Sequence, residues 1–240
     1  MDKKDYETFG GIPKNYWWFR AKRALVCKML KLTSMKWGKI LNIGCGMGED
    51  IKTYSRFGDV HSIDKVAETI HLLNDKTMHS VMDAENMDFA DESFDIVLML
   101  DVLEHIKDDK KAMQEAARVL KVGGHAIITV PAYPFLYGSM DKYAYHERRY
   151  SIGTIRKMLA DNNFTIERIS FWNFCLFPFL AMLKIYKKLL RPGVAESDFI
   201  KLPRAINKML FMVLKIENAL IIRGLYLPFG ISIVVLGRKK

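Results

Sequence analysis

Hydrophobic and polar positions along the chain follow two different periods. Short apolar runs predict strands, and longer segments with apolar residues three or four positions apart predict helices. The predicted strands are 39–43, 59–64, 79–83, 94–100, 125–130, 164–170 and 231–236. The predicted helices are 15–32, 49–57, 66–73, 108–120 and 151–160. Ser151 is the expected N-cap of the last of these helices, and Gly123 and Gly124 are expected to end the helix 108–120.

The order of these elements predicts the fold class. Strands that alternate with helices form parallel sheets through right-handed crossovers. We therefore expect an α/β fold with a doubly wound, seven-stranded, mostly parallel sheet and a helical insertion before the last strand. The expected division is an N-terminal helical lid (1–37), a core (38–170), a basic apolar helical insertion (171–225) and the final strand (226–240).

A glycine-rich turn follows the first predicted strand. Gly44, Gly46 and Gly48 occupy alternate positions between that strand and a helix. Glycine permits positive φ and a close approach of a ligand to the backbone, and the next helix directs free N–H groups towards that ligand. The pattern lacks the sixth-position glycine of the dinucleotide-binding turn, which makes a nicotinamide-dependent oxidoreductase a poor match.

Further polar residues follow the other predicted strands. In an open parallel sheet, ligands bind beyond the carboxyl ends of the strands. Asp64 follows Gly48 by 16 residues, close to the spacing at which an acidic side chain accepts hydrogen bonds from ribose hydroxyls. Asp83 ends the third strand, where it could accept a bond from an exocyclic amine, and Leu100 ends the fourth. Together these residues predict a nucleoside site.

Five segments, in this order, resemble the motifs of class I S-adenosylmethionine-dependent methyltransferases. They are LNIGCGMG at 41–48, SID at 62–64, MDAE at 82–85, FDIV at 94–97 with LEHI at 103–106, and LKVGG at 120–124. The resemblance covers 38–170 and the final strand, and it implies the Rossmann-like methyltransferase fold with S-adenosyl-L-methionine as cofactor. The cofactor-binding residues that it implies are Gly44, Cys45, Gly46, Asp64, Asp83, Ala84 and Leu100. For the methionyl carboxylate it implies an N-terminal arginine, with Arg20 as first candidate and Arg23 as second.

The acceptor side of the predicted site contains two histidines. A neutral hydroxyl acceptor needs a base, and the ordinary pKa of histidine suits proton abstraction near neutral pH. His146 and His105 are the candidate catalytic bases. The candidate substrate contacts are Tyr143, Tyr145, Arg148, Arg149 and Tyr150. We expect no metal site, because Asp101 and Glu104 have no evident third ligand.

Charge is concentrated at the C-terminal end of the chain. The net charge is +10, and residues 184–240 hold 12 Lys and Arg against 3 Asp and Glu, a net of +9. Two apolar segments, 171–190 and 205–222, are interrupted by Pro178 and by charges, so we expect helices that lie on an anionic membrane or cap the core, not spans. A solvated outer face explains the same charges. Three widely separated cysteines predict reduced thiols in the cytoplasm.

A weaker resemblance refines the expected substrate. Segments 16–23, 146–150 and 227–232 are similar to methyltransferases of polysaccharide and lipid-linked sugar synthesis. We therefore expect methyl transfer to an oxygen or nitrogen of an amphipathic small molecule, a lipid-linked sugar or a quinone precursor, by a peripheral protein at the cytoplasmic membrane face. The alternatives are an RNA methyltransferase, which the location of the charge disfavours, and a non-catalytic scaffold that binds the cofactor.

Overall fold

The computed structural model describes residues 16–33, 35–73, 77–190 and 202–240. Residues 1–15 of the predicted lid lie outside these ranges. The strands of the described chain are β1 (Gly38–Ile43), β2 (Gly58–Asp64), β3 (Met78–Val81), β4 (Phe94–Leu100), β5 (Leu120–Pro131), β6 (Phe164–Trp172) and β7 (Ser232–Lys239). The α-helices are α1 (Trp17–Leu32), α2 (Ile51–Tyr54), α3 (Ala67–Leu72), α4 (Asp109–Val119), α5 (Ser139–Tyr143), α6 (Ile152–Asp161), α7 (Phe177–Leu190) and α8 (Arg204–Ile222).

All seven strands of the described chain form one sheet in the order β3-β2-β1-β4-β5-β7-β6. β1 to β5 run parallel, whereas β7 lies antiparallel between β5 and β6. The predicted doubly wound, mostly parallel α/β sheet is confirmed. The strand order reverses between β1 and β4, so the glycine turn after β1 lies at the switch point where such sheets bind ligands.

Two hydrophobic layers cover the sheet. One layer packs apolar residues of α4 and α6, such as Met113 and Ile155, against one sheet face. The other packs α1 and α8 against the opposite face, with Leu25 and Leu214 fully buried. Ser151 caps α6 as predicted, because its hydroxyl oxygen accepts the N–H of Thr154 at 3.0 Å.

The glycine pair after α4 does not end that helix, so this prediction was wrong. β5 begins at Leu120, directly after α4, and both glycines lie within it. Gly123 has a φ of +79°, and a Cβ at Gly124 would lie 2.9 Å from the carbonyl oxygens of Asp95 and Lys121. The pair therefore allows β5 to approach β4 closely at the start of their pairing.

The predicted insertion contributes one helix to the core. The amide of Asn218 in α8 donates to the carbonyl of Ala21 in α1, and its oxygen accepts the indole N–H of Trp172, both at 2.8 Å. Asn207 accepts the N–H of Trp17 at 2.8 Å. α8 therefore holds α1 against the sheet. None of the described helices is both long and apolar enough to cross a membrane.

A buried carboxylate connects α8 to the end of β6. Glu217 is 2% exposed, and its oxygens accept the N–H groups of Asn173, Phe174 and Cys175. These three residues form the turn between β6 and α7. In the sequence, Glu217 is the only acidic residue of the apolar segment 204–222, and a carboxylate in such a segment indicates a buried partner.

We expect Glu217→Ala to lower the free energy of unfolding by about 2–4 kcal/mol, because three backbone N–H groups lose their acceptor. Lys215→Ala, an exposed position on the same helix, should change it by less than about 0.5 kcal/mol. Urea unfolding followed by circular dichroism measures both. Equal stabilities of the two variants would contradict this role.

Candidate active site

The turn after β1 requires glycine at two positions for steric reasons. Gly44, Gly46 and Gly48 have φ values of +68°, +51° and +70°. A Cβ at Gly44 would lie 2.4 Å from a methyl carbon of Val102, and one at Gly48 would lie 2.2 Å from a methyl carbon of Leu73. The turn can therefore hold its conformation at the switch point only with glycine at these two positions.

Asp64 connects this turn to the end of β2. Its Oδ2 accepts the N–H of Gly46 at 2.9 Å, and its Oδ1 accepts the N–H of Val66 at 3.0 Å. The N–H groups of Gly44 and Cys45 donate to the carbonyl of Ile63 at 2.8 and 3.1 Å. Because each carboxylate oxygen accepts two bonds, Asp64 can hold the turn and still accept from a ligand hydroxyl.

The segment after β3 lies next to Asp64. The N–H of Met82 donates to the carbonyl of Asp64 at 3.0 Å. The carboxylate of Asp83 accepts the ammonium of Lys65 at 2.6 Å and the N–H of Glu85 at 3.0 Å. Burial raises the pKa of Asp83, but Lys65 and the N–H of Glu85 outweigh it and hold this pKa below its ordinary value. Ala84, 8% exposed, packs in the core beneath.

β4 ends in an ion pair that the sequence analysis missed. Asp101, at a φ of +53°, accepts the ammonium of Lys22 at 2.6 Å and the hydroxyl of Thr129 at 2.7 Å. Burial alone would raise the pKa of Asp101 and lower that of Lys22, but their attraction reverses both shifts. Leu100, the preceding residue, packs against the layer formed by α1 and α8.

Three cations of α1 lie at different places around the candidate site. The guanidinium carbon of Arg20, the first candidate, lies 4.1 Å from the ring centroid of Phe211 in α8, and its role at the carboxylate stays a prediction. Arg23, the second, pairs with Asp50 directly after the glycine turn. Lys22, with 10% of its side chain exposed, reaches the end of β4. Its position on the apolar face of α1, beside Ala21 and Leu25, was the signal in the sequence.

The two candidate bases lie together. His105, in the 3₁₀ turn Leu103–His105, and His146, after α5, have ring centroids 4.7 Å apart. His146 Nδ1 lies 3.1 Å from Asp141 Oδ1. Burial and His146 lower the pKa of His105 to about 4, so its imidazole is neutral at pH 7. The structure thus brings together both histidines that the sequence analysis singled out.

Glu104 is the third member of this group. It is 1% exposed, and burial, with Asp101, raises its pKa well above the ordinary value. Three ligand-type atoms lie within 4.8 Å of one another, one each from Glu104, His105 and His146. The sequence shows no third ligand for Asp101 and Glu104, because His146 is 42 residues from Glu104 in sequence and reaches it only through the fold.

Three of the five predicted substrate contacts are occupied within the protein. Arg149 is buried and donates to Asp141 at 2.7 Å and to the carbonyl of Ala132 at 3.0 Å. The hydroxyl of Tyr150, 1% exposed, donates to Asp109 at 2.8 Å, and Arg148 pairs with the same carboxylate at 3.0 Å. For these three residues the structure favours a supporting role around Asp141 and His146 over a substrate contact.

The other two predicted substrate contacts, Tyr143 and Tyr145, remain candidates. Tyr143 ends α5 and is half-buried, and Tyr145 is 51% exposed with a φ of +56°. Both lie within three residues of His146 along the chain, so an acceptor bound at the histidines would be near them.

Residues 41–128 match the family model described as a methyltransferase domain. The chain contains a class I S-adenosylmethionine-dependent methyltransferase domain. S-adenosyl-L-methionine is the cofactor of this family. The residues at the strand ends fit it: a Cβ at Gly44 or Gly48 would collide with Val102 or Leu73 and displace the turn, and Asp64 keeps acceptor capacity beside the turn. Asp83, Ala84 and Leu100 follow at the neighbouring strand ends.

Known proteins with similar sequences are methyltransferases by name. The ubiquinone biosynthesis O-methyltransferase of Pectobacterium atrosepticum is 27% identical over 38% of this chain and 42% of its own. The phosphatidylethanolamine N-methyltransferase of Cereibacter sphaeroides is 29% identical over 38% of this chain and 49% of its own. The chain thus spans less than half the length of these two relatives.

A solved structure shows the same fold for this methyltransferase domain and its surroundings. The YcgJ protein of Bacillus subtilis superimposes with a TM-score of 0.62 at 18% identity, over 90% of this chain and 98% of that one. The similarity therefore extends beyond residues 41–128 to the sheet as a whole.

We expect Asp64→Ala to weaken S-adenosylmethionine binding by about 1–3 kcal/mol, because it removes an acceptor beside the ligand and releases the N–H of Gly46. Asp59→Ala, exposed on the same strand, is the matched control and should bind as the wild type does. Isothermal titration calorimetry measures both affinities. Unchanged affinity in Asp64→Ala would count against this site.

The low pKa of His105 predicts a pH dependence of stability. Its pKa is about 4 in the folded protein against 6.5 ordinarily, so the unfolded state binds more protons between these values. The free energy of unfolding therefore falls as the pH falls from 6.5 to 4, by about 2–3 kcal/mol from this group. The raised pKa of Glu104 makes a contribution of opposite sign to this pH dependence. Glu104 is present both in the wild type and in a His105 variant, so a comparison of the two isolates the contribution of His105.

We expect His105→Gln to lose this contribution. Urea unfolding at pH 7.5 and at pH 4.5 gives the change in the free energy of unfolding for each protein. The change in the wild type minus the change in the variant is the contribution of His105. A variant as acid-sensitive as the wild type would show that His105 is not the titrating group.

Proposed function

We propose that this methyltransferase transfers the methyl group of S-adenosylmethionine to an oxygen or nitrogen of an amphipathic acceptor at the cytoplasmic face of a membrane. The acceptor class is a lipid-linked sugar or a quinone precursor. The observation that carries the proposal is the exposed apolar surface of α7 together with that of α8, and α7 begins beside Tyr133, which follows β5.

This apolar surface consists of large side chains that the fold does not bury. Their exposed fractions range from 41% at Ile206 to 70% at Leu189. The other members are Phe179, Met182, Ile185, Tyr186, Met209, Met212 and Ile216. Soluble monomers rarely expose so many large apolar side chains, and such surfaces mark interaction sites.

The charge of the same segment indicates what the apolar surface contacts. Residues 184–240 have a net charge of +9 in a chain of +10. A helix that exposes apolar residues beside lysines and arginines binds at the interface of an anionic bilayer, where both terms are favourable. The opposite faces of these helices pack on the protein through Ala181 and Leu214.

The start of α7 connects the apolar surface to the strand ends. Tyr133, two residues after β5, stacks on Phe171 at 5.1 Å and contacts Phe177 of α7 at 5.3 Å, both between ring centroids. The N–H of Ala132 donates to the carbonyl of Ile231 at 2.9 Å. An acceptor with its tail in the bilayer would thus have a short path to the site.

The names of similar proteins support this class of acceptor. They refer to ubiquinone biosynthesis, to demethylmenaquinone and to phosphatidylethanolamine. Phospholipids and quinones that carry an apolar tail are amphipathic, and their apolar parts could contact the apolar surface.

The chain's own residues would align the reaction. The sulfonium of S-adenosylmethionine is already an activated methyl donor, so the protein mainly positions donor and acceptor. For a hydroxyl acceptor, His146, oriented by Asp141, is the candidate base, with the neutral His105 beside it.

We expect the full chain to sediment with vesicles that contain an anionic phospholipid, and less at high salt. Met209→Glu and Ile216→Glu should reduce binding at least about tenfold, because each puts a carboxylate into the apolar surface. Val122→Glu, a 63% exposed position on β5, is the matched control. Point variants are preferable to deletion because α8 also holds α1. Equal binding by all variants would contradict the membrane contact.

Labelled S-adenosylmethionine tests the reaction itself. We expect the chain to transfer label to the lipid phase of a cell extract. Label in RNA would instead favour a nucleic-acid methyltransferase, and cofactor binding without transfer to any fraction would favour a scaffold. Either result would contradict the proposed function.

A further inference from the structure

We propose that Glu104, His105 and His146 bind one divalent transition-metal cation. We call these three residues the histidine cluster. Glu104 and His105 follow β4 and His146 follows β5, and one ligand atom from each residue lies within 4.8 Å of the others. One carboxylate and two imidazoles form a donor set that suits Zn²⁺, Fe²⁺, Mn²⁺ or Co²⁺.

The strongest observation is a pair of buried polar atoms without partners. In the described part of the chain, neither Glu104 Oε2 nor His105 Nδ1 has a hydrogen bond, although both atoms are inaccessible to solvent. Glu104 as a whole is 1% exposed. An unpaired buried polar atom is costly, so two of them on consecutive residues need an explanation. A cation bound between them would be a partner for both.

The third ligand has the support that metal-binding histidines usually have. His146 Nδ1 lies 3.1 Å from Asp141, which leaves Nε2 for a cation. Asp141 is fixed in turn by Arg149 at 2.7 Å and by the N–H of Gly138 at 3.0 Å. A carboxylate on the far nitrogen fixes the ring and makes the near nitrogen a better ligand.

Neighbouring groups restrict the donor set to these three residues. Asp101, three positions before Glu104, is satisfied by Lys22 and Thr129. The side chain of His146 is 18% exposed, so the cluster opens on one side. Three protein ligands with an open side leave coordination positions for water or for an acceptor oxygen.

The use of this cation in catalysis rests on the proposed function, whereas its binding does not. A hydroxyl oxygen bound at an open position would have a lowered pKa, as metal-bound water has. The two imidazoles would then act as ligands, and no imidazole would be needed as base.

Metal titration of the full, untagged chain after chelator treatment tests the site without cofactor or acceptor. Co²⁺ absorption and calorimetry with Zn²⁺ should show one site per chain. Glu104→Gln and His105→Gln should each weaken it at least about tenfold. His125→Gln is the matched control, because His125 is also buried but pairs with Glu167 outside the cluster. Circular dichroism checks that each variant is folded.

Nuclear magnetic resonance of the wild-type chain tests the site without any substitution that could disturb the fold. Co²⁺ should shift the imidazole signals of His105 and His146 and leave that of His125 unchanged. No binding, binding equal in all folded variants, or shifts at other histidines would overturn the proposal. Because the extract assay needs no added metal and the titration needs no acceptor, the two proposals fail separately.

Discussion

The carboxylate of Asp64 fixes the geometry on which the candidate site depends. It accepts the N–H of Gly46 with one oxygen and that of Val66 with the other, so it joins the glycine turn to the end of β2. The turn has three positive φ values and little space around two of its glycines, and such a backbone persists only when its surroundings hold it. Asp83 and Asp101 lie at the next strand ends because the sheet places them there. One buried carboxylate thus holds the turn at which we expect the cofactor to bind.

α8 connects the stability of the fold to the proposed membrane contact. One face of this helix is buried through Leu214, Glu217 and Asn218, which hold α1 and the end of β6. The other face exposes Met209 and Ile216. A helix that is apolar on both sides yet bonded to the core by two polar residues cannot leave the protein without unpairing them. The apolar surface is therefore presented on a rigid support.

The sequence was sufficient where local pattern decides the structure. The β4 prediction, 94–100, is the observed strand, and the Ser151 cap follows from local hydrogen bonding. The prediction that Gly123 and Gly124 end a helix was wrong because glycine is favoured both at the end of a helix and where two strands approach closely. Lys22 and the histidine cluster depend on contacts across 79 and 42 residues of chain, which periodicity does not encode. Arg149 and Tyr150 look like ligand contacts in sequence, and only burial shows their internal partners.

The central claim is that the strand ends from β1 to β4 form a single S-adenosylmethionine pocket. A crystal structure with S-adenosylhomocysteine tests it most directly. We predict the ribose at Asp64, the adenine at Asp83 and Ala84, and the sulfur near Leu100 and Asp101, with Lys22 or Arg23 at the carboxylate. A ligand bound elsewhere, or lying across these residues in the opposite direction, would contradict this account.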